Sequence, residues 1–148
     1  MKHGSALLGS GRVLFEDRFD GRGVNVIIEG VCVPGMADGK HGFHIHESGD
    51  MTRECASMGG HYDPHGVHHH GGPDDVHRHA GDLGNVVSRN GCLDNTTVYA
   101  PGVTVNDILG RGIVLHERED DHGKGGTEES RRTGSAGARI ACGTITAR

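Results

Sequence analysis

The sequence predicts an all-β sandwich or barrel with two elaborated loops, and three observations carry that prediction. Glycine supplies 27 of 148 residues with no fixed period, against an ordinary share of about 7%, which points to many tight turns rather than a fibrous repeat. Tryptophan is absent and Phe and Tyr are few, so the core must be assembled from Val, Ile, Leu and Ala, whose β-branched members favour strands. Short alternating apolar runs bounded by turn residues recur along the chain. The length fits one domain spanning 1–148, with little helix.

Each element follows from local pattern. Arg12 to Glu16 reads as a strand, Gly21 to Gly23 as a turn, and Val24 to Val33 as one or two further strands. Phe43 and Ile45 alternate with His44 and His46; successive strand side chains point to opposite faces, so one face is apolar and the other presents two imidazoles. Asn85 to Ser88 leads into Asn90-Gly91, a strong type I′ hairpin signal, with Leu93 to Tyr99 as the returning strand. Further strands are expected at Val103 to Val105, Gly112 to Glu117 and Ala138 to Ile145. Between them lie two irregular segments, Ser48 to Gly84 and Glu117 to Gly137, each longer than the roughly 15 residues beyond which a loop is functional or disordered. The first concentrates His and Asp with one Cys, groups that a metal organises into fixed structure.

A formal charge of −5 and a pI near 6.2 argue against a nucleic-acid partner. No apolar run approaches about 18 residues and the first twenty residues hold no signal-like core. The expectation is therefore a cytoplasmic protein with no membrane contact. Four cysteines, at 32, 55, 92 and 142, fit neither a disulfide-dense miniature nor a CxxC zinc site.

Thirteen histidines are the unusual count. His44 and His46 share a strand face, His116 ends another strand and His61 opens the long loop, giving four imidazoles from three segments. A nitrogen-rich set of this kind suits Cu(II). His65, His68, His69, His70, His77 and His79 follow with several Asp, and three imidazoles with one carboxylate would complete a tetrahedral zinc site. Spacing alone leaves open which of the six are ligands.

Gly42-Phe-His-Ile-His-Glu, Gly59-Gly-His-Tyr-Asp-Pro, His70-Gly-Gly-Pro, Arg78-His-Ala-Gly-Asp-Leu-Gly-Asn, Val114-Leu-His-Glu, Gly123-Lys-Gly-Gly and Ala138-Arg-Ile-Ala-Cys-Gly occur in one order along the chain. With those motifs it resembles the copper/zinc superoxide dismutase family from about residue 10 onward. The resemblance implies an eight-stranded Greek-key β-barrel or sandwich, immunoglobulin-like, that converts two superoxide anions to O₂ and hydrogen peroxide. It implies copper on His44, His46, His61 and His116, and zinc on His61, His70, His79 and Asp82, with His61 bridging the two ions. His65, His68, His69 and His77 are then left as solvated loop. Asp120 is implied as the carboxylate joining His44 to His70, Cys55 and Cys142 as a disulfide, and Arg139 as the cation beside copper. Lys124, Glu128, Glu129, Arg131 and Arg132 resemble the family's electrostatic guidance loop. Cys32 and Cys92 have no family counterpart and are expected as free thiols.

The resemblance also implies a homodimer and a copper chaperone as partners. Ser48, Thr144 and Thr146 make the corresponding contact more polar than obligate interfaces are, so a weak dimer or partly monomeric protein is expected. Three other readings compete with a dismutase: a copper or zinc storage protein without turnover, a zinc hydrolase, which lacks the HExxH motif here, and a chaperone-like domain with a degenerate site.

Overall fold

Alternation decides which side chains meet inside the protein, whose computed structural model describes residues 2–148. In β1 (His3–Leu8), β2 (Gly11–Asp17) and β3 (Val24–Glu29) the buried positions recur at every second residue, placing Ala6, Leu8, Val13, Phe15, Val24, Val26 and Ile28 in one core. These strands pair antiparallel with β8 (Thr97–Ala100) and the two-residue β11 (Thr146–Ala147) in a sheet of order β11-β1-β2-β3-β8. The facing sheet runs β10-β9-β4-β6-β7, built from β4 (Gly39–His46), β6 (Asp82–Arg89), β7 (Cys92–Leu93), β9 (Gly112–His116) and β10 (Arg139–Thr144). Its inward Phe43, Ile45, Ile113 and Leu115 complete the apolar cluster. β5 (Thr52–Cys55) belongs to neither sheet; setting it and the two-residue β7 and β11 aside leaves the eight strands of the expected barrel.

Several local expectations change. β1 is an additional strand, and Leu93 to Tyr99 is not one return strand: β7 and β8 lie in different sheets, with Asp94 to Thr96 crossing between them. Val103 to Val105 is not a strand. Thr104 instead caps the short helix α1 (Val105–Ile108), accepting from the Asp107 N–H while Asp107 accepts from the Thr104 N–H. That reciprocal capping satisfies helix donors and outweighs the β-branched preference of the valines. The second irregular segment contains α2 (Glu128–Thr133), which Thr127 caps and Gly134, in the left-handed region, ends.

Cys32 and Cys92, expected as free thiols, form a disulfide. Two hydrogen bonds flank them, Leu93 N–H to the Val31 carbonyl and Val33 N–H to the Gly91 carbonyl, both 2.8 Å. The fold therefore sets the two residues directly opposite each other, joining the chain leaving β3 in one sheet to β7 in the other. A cross-link between positions 60 apart stabilises by roughly 4 kcal/mol in the chain-entropy model. Replacing both Cys32 and Cys92 by serine should lower the unfolding free energy by up to about that amount. An unchanged denaturation midpoint would show that the cross-link does not constrain the unfolded chain.

Candidate metal centre

β4 brings Phe43 and Ile45 into the core and turns His44 and His46 to the opposite face, as alternation requires. That second face is also buried, because the chain from His61 to Asp82 and the segment around α2 cover it. Two bulges border the site, between Gly42 and His44 in the β4–β6 ladder and between Arg139 and Ala141 in the β9–β10 ladder. Bulges re-aim side chains where a ladder would otherwise run regular.

His44, His46, His61 and His116 converge so that one nitrogen of each lies within 4.8 Å of the others, all four residues buried. The tautomers of three follow from their neighbours. His46 Nδ1 donates to the Gly59 carbonyl at 2.9 Å, His116 Nδ1 to the Gly137 carbonyl at 3.1 Å, and His44 Nε2 to the Asp120 carboxylate at 2.6 Å. Each ring has then spent its proton on an acceptor, and the remaining nitrogens, His44 Nδ1, His46 Nε2 and His116 Nε2, are buried with no partner. Buried acceptors are rarely left so. Three such lone pairs in one place fit a cation with an affinity for nitrogen.

A second group adjoins the first through His61. His61 Nδ1 lies 2.8 Å from Asp82 Oδ1, 3.2 Å from His70 Nδ1 and 3.3 Å from His79 Nδ1. His70 Nδ1 and His79 Nδ1 are in turn 2.8 and 3.3 Å from the same carboxylate oxygen. A tetrahedron with bonds of 2.0–2.1 Å has edges of about 3.3 Å, so these atoms have the number, chemistry and spacing a zinc ion needs. His44 also comes within reach of this group, but its Nε2 is occupied by Asp120.

Carboxylates organise both groups. Asp82 Oδ2 accepts from the Gly71 and His79 N–H groups at 3.0 and 2.8 Å. Asp120 takes His44 through Oδ2 and His70 Nε2 at 2.7 Å through Oδ1, so it links the two groups as the resemblance implied. Asn85 brackets Asp120, accepting its N–H at 2.6 Å and donating to its carbonyl at 2.9 Å. Gly134 has a positive φ of 78°, and a Cβ there would collide with the Asp120 carboxylate and the His70 ring. Neither Asn85 nor Gly134 stood out in the sequence, though both lie inside or beside the motifs.

The remaining site residues divide. Arg139 donates from Nη1 to the Cys55 carbonyl at 2.8 Å and from Nη2 to the Gly59 carbonyl at 2.6 Å, and it lines a cavity of about 190 Å³ with His46, His61, His116, Glu129 and Arg132. Cys55 is bonded to Cys142, which anchors that carbonyl frame to β10. Lys124 does not line the cavity and lies 3.7 Å from Asp75; Glu128 and Arg131 also stay outside it. Within α2 the acidic first turn and basic last turn complement the helix dipole. His65, His68, His69 and His77 are exposed.

A family model described as copper/zinc superoxide dismutase (SODC) matches residues 9–145. The chain belongs to the copper/zinc superoxide dismutase family. It is 46% identical over 138 residues to the Extracellular superoxide dismutase (Cu-Zn) of Drosophila melanogaster, covering 91% of the chain and 74% of that protein. With the Caenorhabditis elegans protein of the same name it is 47% identical over 130 residues, which are 86% of the chain but 58% of that relative's length. A crystal structure titled for the clock protein EA4 superimposes with a TM-score of 0.88 at 39% identity, covering 98% of this chain and 94% of that one. Family membership makes the protein an oxidoreductase acting on superoxide, with copper and zinc as cofactors, and the paired histidine groups agree with both ions. The cytoplasmic placement expected from the sequence is overturned: both relatives are named extracellular.

Burial and neighbouring charge set the protonation of the metal-free dismutase site. Burial holds His116 down to about 4 and lowers His44, His46 and His61 as well. Burial also disfavours a charged His70, yet its bonds to Asp120 and Asp82 outweigh that and raise it to about 9. A lowered histidine is neutral in the fold and protonated in the unfolded chain below its ordinary value of about 6.5. Stability of the metal-free protein should therefore fall from pH 6.5 down through 4. His70 works in the opposite sense, its contribution present below about 6.5 and lost as pH rises through about 9. A thermal midpoint that stays flat between pH 7 and 4 would contradict the neutral ligand set. Zinc uptake near pH 7 should release about one proton per site, the one held by His70, measurable as buffer-dependent heat; no release would contradict the raised value.

Proposed function

We propose that His44, His46, His61 and His116 hold copper, that His61, His70, His79 and Asp82 hold zinc, and that His61 serves both ions through its two ring nitrogens. The observation that carries this reading is the set of three buried ring nitrogens left without partners beside His61. Copper, when bound, supplies the one-electron exchange that takes superoxide to O₂ in one half-reaction and to hydrogen peroxide in the other, which zinc with its filled d shell does not.

The chain's own residues prepare that exchange. His61 has Nδ1 turned to the zinc group, which leaves its Nε2 to hold or release a proton on the copper side. Arg139 keeps its charge throughout and faces the cavity, where a guanidinium draws and orients a small anion. Its two carbonyl partners prevent it from swinging away. Glu129 and Arg132 line the same cavity and tune its field, and a net-negative protein can still focus positive potential in a narrow cleft.

We further propose a secreted protein. Extracellular relatives support this, as do two disulfides, Cys32–Cys92 and Cys55–Cys142, which persist in oxidising compartments.

Superoxide removal by protein reconstituted with copper and zinc, compared with zinc alone, tests the reading. Turnover is expected only with copper, and equal inactivity of both would make the chain a binder without catalysis. Arg139→Ala should reduce kcat/KM by about 10–10³-fold and flatten the decline of rate with ionic strength. Unchanged activity in that variant would remove the role assigned to Arg139.

A further inference from the structure

Arg111, outside both ligand groups, touches the residues next to two of the proposed copper ligands. It sits between α1 and β9, where Nε donates to the Asp107 carbonyl at 2.7 Å and Nη1 to the Glu47 carbonyl at 2.9 Å. The same guanidinium lies 4.1 Å over the ring of the buried Tyr62. Glu47 directly follows His46, and Tyr62 directly follows His61. Those two segments are paired, with His46 opposite His61, Glu47 N–H bonded to the Gly60 carbonyl and Tyr62 N–H to the Ile45 carbonyl, both at 2.8 Å.

That pairing is an isolated bridge rather than a strand ladder. The chain enters it through Gly59 and Gly60, which bring no side-chain stiffness. Something else has to fix the distance between the two segments. A guanidinium can stack on an aromatic face and donate in its own plane at once, which an ammonium cannot. Arg111 uses both abilities, one toward each segment.

We propose that Arg111 is a positioning residue for the copper site, clamping Glu47 to Tyr62 and so setting how far apart His46 and His61 stand. The inference rests on the ligand assignment above and adds a determinant outside it. Displacement at either contact reaches a ligand across a single peptide unit. A residue that merely fastened α1 to the loop would affect stability without altering the copper ligands.

The test uses the copper- and zinc-loaded protein with Arg111→Lys, Tyr62→Leu and Tyr62→Phe. Arg111→Lys and Tyr62→Leu should each shift the copper(II) electron paramagnetic resonance parameters and weaken copper binding by about 10–100-fold. In the metal-free protein they should also speed hydrogen exchange at the Glu47 and Tyr62 amides. Tyr62→Phe keeps the ring and should retain the parent spectrum and affinity. Parent-like spectrum and affinity in Arg111→Lys, even with a lower melting temperature, would overturn the proposal and leave Arg111 as a fastener. If the unaltered protein showed no histidine-nitrogen coupling to copper, the ligand assignment itself would fall and this inference with it.

Discussion

Three imidazole lone pairs buried with nothing in the protein to accept them from is the constraint on which the rest of this structure depends. Unpartnered polar atoms in a protein interior cost on the order of 1–3 kcal/mol each, and here they belong to His44, His46 and His116 in one place. A cation that takes nitrogen ligands turns that cost into binding. The surrounding architecture reads as the means of keeping those lone pairs free: carbonyls of Gly59 and Gly137 and the carboxylate of Asp120 each occupy the other nitrogen. Removing any one acceptor would let a ring rotate or change tautomer, and second partners of this kind matter nearly as much as the ligands they orient.

The same economy links the metal groups to the substrate side. The Gly59 carbonyl accepts from both His46 and Arg139, so one backbone atom sets a copper-side ring and the cavity's cation together. The Cys55–Cys142 bond holds the neighbouring Cys55 carbonyl, the other partner of Arg139, against β10. Asp120 couples His44 to His70, and the His70 N–H donates to the Arg131 carbonyl in α2, so the helix lining the cavity is tied to the zinc group. Disturbance in the zinc group therefore has a short bonded route to the cavity wall.

Much of this was legible in the sequence, for definable reasons. The alternation of Phe43 and Ile45 with His44 and His46 is a property of the strand itself, so both its apolar and its imidazole face could be read locally. Choosing His70 and His79 from six loop histidines could not, since spacing in an irregular segment carries no geometry; the motifs supplied that choice. The pairing of Cys32 with Cys92 depends on two sheets meeting at one corner, and nothing near either cysteine signals it. At Val103 to Val105 the β-branched pattern was given more weight than Thr104 and Asp107, whose reciprocal capping starts a helix. Least legible were the acceptors that set the tautomers, because the carbonyls of Gly59 and Gly137 leave no side-chain trace.

Anomalous diffraction from crystals of the metal-loaded protein, recorded at the copper and zinc absorption edges, tests the central claim most directly. The account predicts one copper peak against His44 Nδ1, His46 Nε2 and His116 Nε2, one zinc peak among His70, His79 and Asp82, and His61 within bonding distance of both. Copper density on the exposed His68–His70 tract instead, or a His61 that reaches only one ion, would contradict it.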